Sequence, residues 1–299
     1  MNVSTPDGRT LRVWVTGDEG GVPVLAQHGT PSGGILYGPW IAEASTRGIC
    51  LIGYDRPGYG GSSRHAGRTI ADAAADVRAI AAALGIDRLV TWGISGGGPH
   101  ALACAALAPD LVAAAACMAG PAPFDAADLD WTEGMGEENV VEHGAAAEGE
   151  EVLRPLLEAG RAGMLGGGVQ ALKEELGTLV TPVDAASLDR GFGDFVYESV
   201  ELALRDTVDG WVDDDLAFVT PWGVDVASIR VPLLLIQGAQ DGFVPVAHFE
   251  WLAAHVPAAE RRLAPEHGHL SLSETGVSEV HEWLLGNQED PPVARRIRG

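Results

Sequence analysis

Ser95 stands in the run Gly93-Ile94-Ser95-Gly96-Gly97, between a β-branched apolar segment and an alanine-rich one. A serine lifted onto a sharp strand-to-helix bend exposes its hydroxyl, and the N–H groups at the helix start face any negative charge that develops beside it. Such a bend needs small neighbours two residues to either side, which Gly93 and Gly97 supply. Two phosphate-binding readings fail on spacing. No lysine follows the glycines, and glycines at 93, 96, 97 and 98 do not match a dinucleotide fingerprint.

A serine hydroxyl is not nucleophilic at neutral pH; it requires a base, and the base an orienting acid. The stretch "APEHGHLSL" supplies His269 after the last strand-like run, and "IQGAQDGFVP" supplies Asp241 after the run before it. The order Ser95, Asp241, His269 is expected when nucleophile, acid and base hang from successive strand ends of one parallel sheet. The chemistry is then hydrolysis of a carboxylic ester, thioester or lactone through an acyl-enzyme on Ser95. No cofactor and no metal is called for.

The elements that would hold these residues alternate. "LRVWVTG", "PVLAQHG", "ICLIGYD", "RLVTWGI" and "VAAAACMAG" read as strands, and "TIADAAADVRAIAAALGI" and "PHALACAALA" as helices. In the first helix Thr69 is a candidate cap and Gly85 a terminator. The alternation resumes at "VPLLLIQG", "VAHFEWLAAHV", "ERRLAPEHGH" and "SEVHEWLLG". This predicts an α/β fold, a mostly parallel central sheet with helices on both faces. Its core comprises residues 1–124 and 227–288, and residues 289–299 form a tail with little to bury. The segment 125–226 is different in kind. Between Asp125 and Asp225 lie 24 acidic and 5 basic residues, without comparable strand signal, and the expectation is a mainly helical lid inserted in the core.

The chain resembles the α/β-hydrolase fold superfamily, in its esterase and proline iminopeptidase-like branch. The resemblance rests on Gly-x-Ser-x-Gly, on the ordered triple, and on "HGTPSG" (28–33) and "YDRPGYGGSS" (54–63), each following a strand. It implies that His28 and Gly29 shape an oxyanion loop, and that the backbone N–H groups of Thr30 and Gly96 hold the oxyanion. It leaves Asp125, after the preceding core strand, as a rival to Asp241. Serine at the nucleophile position argues against relatives that use aspartate. Two other activities stay open: a proline iminopeptidase-like peptidase or amidase, and a non-catalytic small-molecule binding protein on the same fold.

Other residues invite plainer readings. Asp55 reads as a loop brace, and His267 as an exposed loop residue. His100, His143, His248, His255 and His281 read as structural or surface groups. Tyr37, Phe124, Trp131 and Trp222 are candidates for an apolar substrate pocket. Cys50, Cys104 and Cys117 lie in apolar stretches without metal-like spacing and read as structural thiols.

The formal charge of −23 disfavours nucleic acid and anionic membrane as partners. The expected partner is a small-molecule acyl substrate; nothing in the sequence speaks to oligomeric state. An apolar content of 46% can supply a sizeable core. The first ten residues are polar, and no apolar run reaches membrane-spanning length, so no membrane insertion and a cytoplasmic location are expected. The acidic lid admits two uses: a solvated surface, the reading adopted, or carboxylates that favour an amine-bearing substrate.

Overall fold

Strands built from consecutive apolar residues must be covered on both faces, and that requirement organises the molecule. The computed structural model describes residues 1–257 and 259–288. Eight strands form one sheet: β1 (Asn2–Ser4), β2 (Thr10–Gly17), β3 (Val22–Gln27), β4 (Ile49–Tyr54), β5 (Leu89–Ile94), β6 (Val112–Met118), β7 (Leu233–Gly238) and β8 (Glu260–Ala264). Their order is β1-β2-β4-β3-β5-β6-β7-β8. The strands from β3 to β8 pair in parallel, whereas β1 and β2 are antiparallel additions at one edge. The polar opening residues had given no sign of β1.

Every residue of β4, β5, β6 and β7 is buried. Alternate side chains go to opposite faces, as the pleat requires. Leu25 and Ile52 join one hydrophobic cluster, while Val24, Leu51 and Trp92 join the other. On the first face lie α2 (Ala73–Leu84) and α3 (Gly97–Leu107). On the second lie α1 (Gly38–Thr46), α11 (His269–Thr275) and α12 (Val277–Gly286). Thr69 does stand at the head of the α2 segment, where its N–H and hydroxyl both bond the Asp72 carboxylate. Gly85 ends α2 in the left-handed region, at φ 69°, a conformation that costs glycine nothing.

Between β6 and β7 the chain leaves the sheet and forms six α-helices among the described residues: α4 (Glu137–Glu148), α5 (Glu150–Leu165), α6 (Gly168–Leu176), α7 (Pro182–Leu188), α8 (Gly191–Leu204) and α9 (Asp209–Val219). The remaining helix, α10 (Val246–His255), follows β7. The inserted helices share a hydrophobic cluster of their own, with Leu153, Leu157, Val200 and Trp211, into which the core loop residue Tyr59 is driven. The proposed tail, 289–299, lies outside the described residues. Cys50, Cys104 and Cys117 are buried free thiols, as their apolar surroundings predicted. No described helix is long and apolar enough to cross a membrane.

Candidate active site

In an open parallel sheet, ligands bind beyond the carboxyl ends of the strands where the order reverses. Here β3 lies between β4 and β5, so the chain departs from β3 in one direction and returns on its other side at β5. The ends of these neighbours are in register, with Gln27 opposite Gly93. The loop 28–33 and the bend at Ser95 therefore emerge side by side.

Ser95 takes φ 54°, a left-handed conformation that a side chain adopts only at a cost of about 1–3 kcal/mol. Its N–H bonds Met118 O at 2.9 Å, and its carbonyl accepts from Gly98 N–H at 2.8 Å. The glycines are explained by contact. A Cβ on Gly93 would stand 2.0 Å from Gly97 O, and one on Gly97 would stand 2.1 Å from Gln27 O. A Cβ on Gly96 would meet Thr30 Oγ1 at 2.4 Å, and one on Gly29 would lie 3.5 Å from Ser95 Cβ. Thr30 and Gly96 are thus neighbours beside the serine. Among the described residues neither backbone N–H has a hydrogen-bond acceptor.

The turn after β7 carries Asp241. Its Oδ1 accepts from the N–H groups of Phe243 and Val244, both at 2.8 Å. Its Oδ2 accepts from Gln237 Nε2 at 2.9 Å and from His269 Nδ1 at 2.7 Å. A carboxylate held this way fixes the proton on Nδ1 and leaves the Nε2 lone pair free. Phe243 stacks on the imidazole, centroids 4.5 Å apart. His269 is the first residue of α11, and amides of that helix start with no partner inside the helix are met by Asp184 of α7. Asp184 accepts from His269 N–H at 3.0 Å and from Ser271 N–H at 2.9 Å. Gly268 must be small for this, because a Cβ there would fall 2.4 Å from Asp184 Oδ2.

Burial disfavours the imidazolium of His269, but the charge and hydrogen bond of Asp241, aided by Asp184, outweigh it and raise its pKa above the ordinary 6.5. If His269 serves as a base it must be neutral. The acid limb of kcat/KM is then expected to have its midpoint above pH 6.5 and to move down in Asp241→Asn. A pH–rate profile with p-nitrophenyl butyrate checks both; an acid limb that Asp241→Asn leaves in place would break the link.

The loop 28–33 is anchored from the inserted helices. Thr30 Oγ1 donates to Asp214 Oδ2 of α9 at 2.6 Å and accepts from Arg56 at 3.0 Å. Arg56 also donates to the carbonyls of His28 and Gly29 and pairs with Asp214 at 2.6 Å. The same carboxylate takes Arg68 at 2.7 Å and the Tyr59 hydroxyl at 2.9 Å. His28 Nε2 accepts from Arg56 N–H, which makes Nδ1 the donor to Gly29 O. Burial first, then Arg56, depresses the His28 pKa well below its usual value, consistent with a holding role. His100, on α3, is likewise buried and neutral, its pKa brought to about 3 by burial and Arg56, with Nδ1 on Gly96 O.

Two chambers meet at Ser95. The larger, about 370 Å³, is lined by Ser95, Thr30 and Gly96, by Trp131 and Phe218, and by a group of carboxylates. The smaller, about 130 Å³, includes Ser95, His269, Trp40, Trp92, Phe192 and Phe195. Of the four pocket candidates, Trp131 stands in the wall of the larger chamber. Three other pocket candidates do not. Tyr37 packs behind the wall on Trp40, Phe192 and Phe195, and Phe124 packs on Trp131. Trp222 is 3% exposed, inside the sheet's core cluster. Large aromatic side chains gain as much by filling core as by lining a cavity, and their positions in the chain did not separate the two.

Asp125, the rival acid, borders a shallow depression beside Trp222 and Trp251 and makes no hydrogen bond to His269. Asp55 braces loops through Gly34 N–H and Gly61 N–H. His267 is half-buried rather than exposed. His143, read as structural or surface, lies in the chamber wall against Trp131, with ring centroids 4.6 Å apart. Sequence reasoning missed Gln237, Phe243, Asp184, Arg56 and Asp214. Arg56 lies inside YDRPGYGGSS, and Gln237 and Phe243 flank Asp241 in IQGAQDGFVP, but neither stretch marks which of its side chains reaches the site; for Asp214 the hint was the run Asp213-Asp214-Asp215, counted with the lid's acidity.

A family model described as the alpha/beta hydrolase fold matches residues 22–140. The dihydrolipoyllysine-residue acetyltransferase component of the acetoin cleaving system of Pseudomonas putida is 28% identical over 93% of this chain, which spans 66% of that protein's length. Among solved structures, a thermophilic esterase from Thermogutta terrifontis superposes with a TM-score of 0.70 at 21% identity, covering 97% of this chain and 99% of its own. The enol-lactonase from Burkholderia xenovorans LB400 does so with a TM-score of 0.70 at 18% identity, covering 96% and 100%.

Proposed function

We propose that this chain, which has the α/β-hydrolase fold, is a serine hydrolase that cleaves a carboxylic ester, thioester or lactone. The observation that carries the reading is the strained Ser95 beside two unbonded N–H groups, facing a cavity that also receives His269. In this reading His269 Nε2 takes the Ser95 proton as Oγ attacks the acyl carbon. The N–H groups of Thr30 and Gly96 receive the oxyanion, a donor pair in which each member is worth about 3 kcal/mol of transition-state stabilisation. The leaving oxygen or sulfur takes the proton back from His269 as the carbonyl re-forms. Water, deprotonated by the same nitrogen, then releases the acid and regenerates Ser95.

The helices between β6 and β7 act as the lid, 125–226 against a core of 1–124 and 227–288, and the two chambers divide acyl from leaving group. The name of the enol-lactonase and that of the esterase agree with this class of bond. A fluorophosphonate probe is expected to label Ser95 stoichiometrically and to fail on Ser95→Ala. Peptide mass spectrometry of the folded, treated protein reads the result, and an unmodified Ser95 would sink the mechanism.

A further inference from the structure

Helix α11 begins without a cap of its own. Its N-cap position is Gly268, which has no side chain to accept from the first amides. The oxygens come instead from Asp184, on the inserted helix α7 and 85 residues away from His269. Asp184 is 0% exposed, and the donors it meets are neutral. Its Oδ2 accepts from His269 N–H at 3.0 Å and from the Thr181 hydroxyl at 3.1 Å, and its Oδ1 from Ser271 N–H at 2.9 Å. A serine or threonine at position 268 would cap the helix locally without burying a charge. Gly268 leaves the space that Asp184 fills: the three atoms nearest to a Cβ there all belong to Asp184.

Two observations tie this carboxylate to the imidazole and not to the helix alone. The residue it holds is His269 itself, by the backbone N–H, so the place of the ring follows the place of α7. Its charge also reaches the ring: after Asp241, Asp184 is the group that favours the imidazolium. The charged pair at the far end of α11, Glu274 with Arg190, is closed on itself at 2.5 Å. The turn that carries the acid is held from the inserted segment as well. Gly136 N–H donates to Gly242 O at 2.9 Å, and Asn139 Nδ2 to Phe243 O at 3.1 Å. Asp241 and His269 thus keep their spacing through a second path besides their own 2.7 Å hydrogen bond. Misplacing a reacting group by about 1 Å can cost about a hundredfold in rate.

We propose that Asp184 is a positioning residue for His269: from the inserted helices it fixes the backbone of the base and sets a second negative charge near its ring. That His269 is a base rests on the serine-hydrolase reading; the hold on His269 does not. Three variants test it: Asp184→Asn, Asp184→Ala, and Asp184→Ala combined with Gly268→Ser, which returns a local cap without a charge. NMR follows the titration of the His269 ring, urea unfolding gives stability, and p-nitrophenyl butyrate gives kcat and KM. In each variant the His269 titration should move down, because a charge favouring the imidazolium is gone. Each should lower kcat about ten- to a hundredfold with KM nearly unchanged. The double variant should recover the stability lost in Asp184→Ala but neither kcat nor the titration. It carries the test, with Asp184→Asn, if Asp184→Ala does not fold. A titration that stays in place in Asp184→Asn, or a double variant that regains kcat together with stability, would overturn the proposal and leave Asp184 a distant helix cap. The hydrolase reading fails separately. A Ser95 that fluorophosphonate does not label, with the His269 titration still moving in the variants, removes that reading and leaves the hold on His269.

Discussion

Asp241→Asn is expected to lower kcat by about 10⁴ while KM and thermal stability stay close to wild type. Asparagine keeps the shape of the carboxylate but not its capacity to accept on every side. Four donors converge on Asp241: two backbone N–H groups, Gln237 Nε2 and His269 Nδ1. If the amide oxygen stays with the two backbone donors, its NH₂ faces Nδ1. His269 must then carry its proton on Nε2, where it cannot take one from Ser95. If the amide turns over, its NH₂ is set against the N–H groups of Phe243 and Val244. Steady-state kinetics with p-nitrophenyl butyrate, alongside a thermal melt, give the result. A variant within tenfold of wild type would mean that Asp241 is not the orienting acid, and equivalent loss in Asp125→Asn would transfer the role there.

Neighbouring aspartates of α9 should respond very unequally. Asp214→Asn removes the carboxylate that pairs with both Arg56 and Arg68, each of them buried. Breaking a buried pair by deleting one partner typically costs about 3–5 kcal/mol, because the remaining charge is left without compensation. Asp215→Asn exchanges a buried carboxyl that hydrogen-bonds the Glu142 carboxyl for an amide that can still donate to it, and should be close to neutral. Urea unfolding of the two variants at pH 7 makes the comparison, and a loss in Asp214→Asn no greater than in Asp215→Asn would refute the assignment.

The sign with pH follows from the same pairs. Burial favours protonated Asp214, but Arg56 and Arg68 override it and hold its pKa well below the ordinary 3.8. Its contribution is therefore complete above that ordinary value and is lost as pH falls through the depressed one. Because Asp214 also receives the Thr30 hydroxyl, Asp214→Asn should lower kcat as well as stability. Thr30→Val, which deletes only the hydroxyl, should lower kcat with little change in melting temperature, and Thr30→Ser should restore it.

The strands and helices of the core were legible because their signals are local. A run such as Ile49–Tyr54 must be buried on both faces wherever it lies, and Gly85 ends a helix by its own φ. The bend at Ser95 was legible for the same reason, since Gly93 and Gly97 make room for each other within five residues. Order along the chain brought Asp241 and His269 into view, because parallel strands deliver their loops to one edge.

The acidic segment was legible only as composition. Its carboxylates look alike in sequence, and the solvated surface adopted for them does not describe α9. There, Asp213 and Asp214 turn inward to arginines that lie roughly 150 residues earlier in the chain, and Asp215 turns inward to another acid. Whether a carboxylate is solvated, paired or stranded depends on what the rest of the chain carries to within about 4 Å of it. No spacing rule encodes that distance. The sequence by itself determined the core strands, the bend and the order of Ser95, Asp241 and His269 along the chain; the tertiary structure decided which acids face the cavity, because helix packing alone sets which face of α9 is shut away from water.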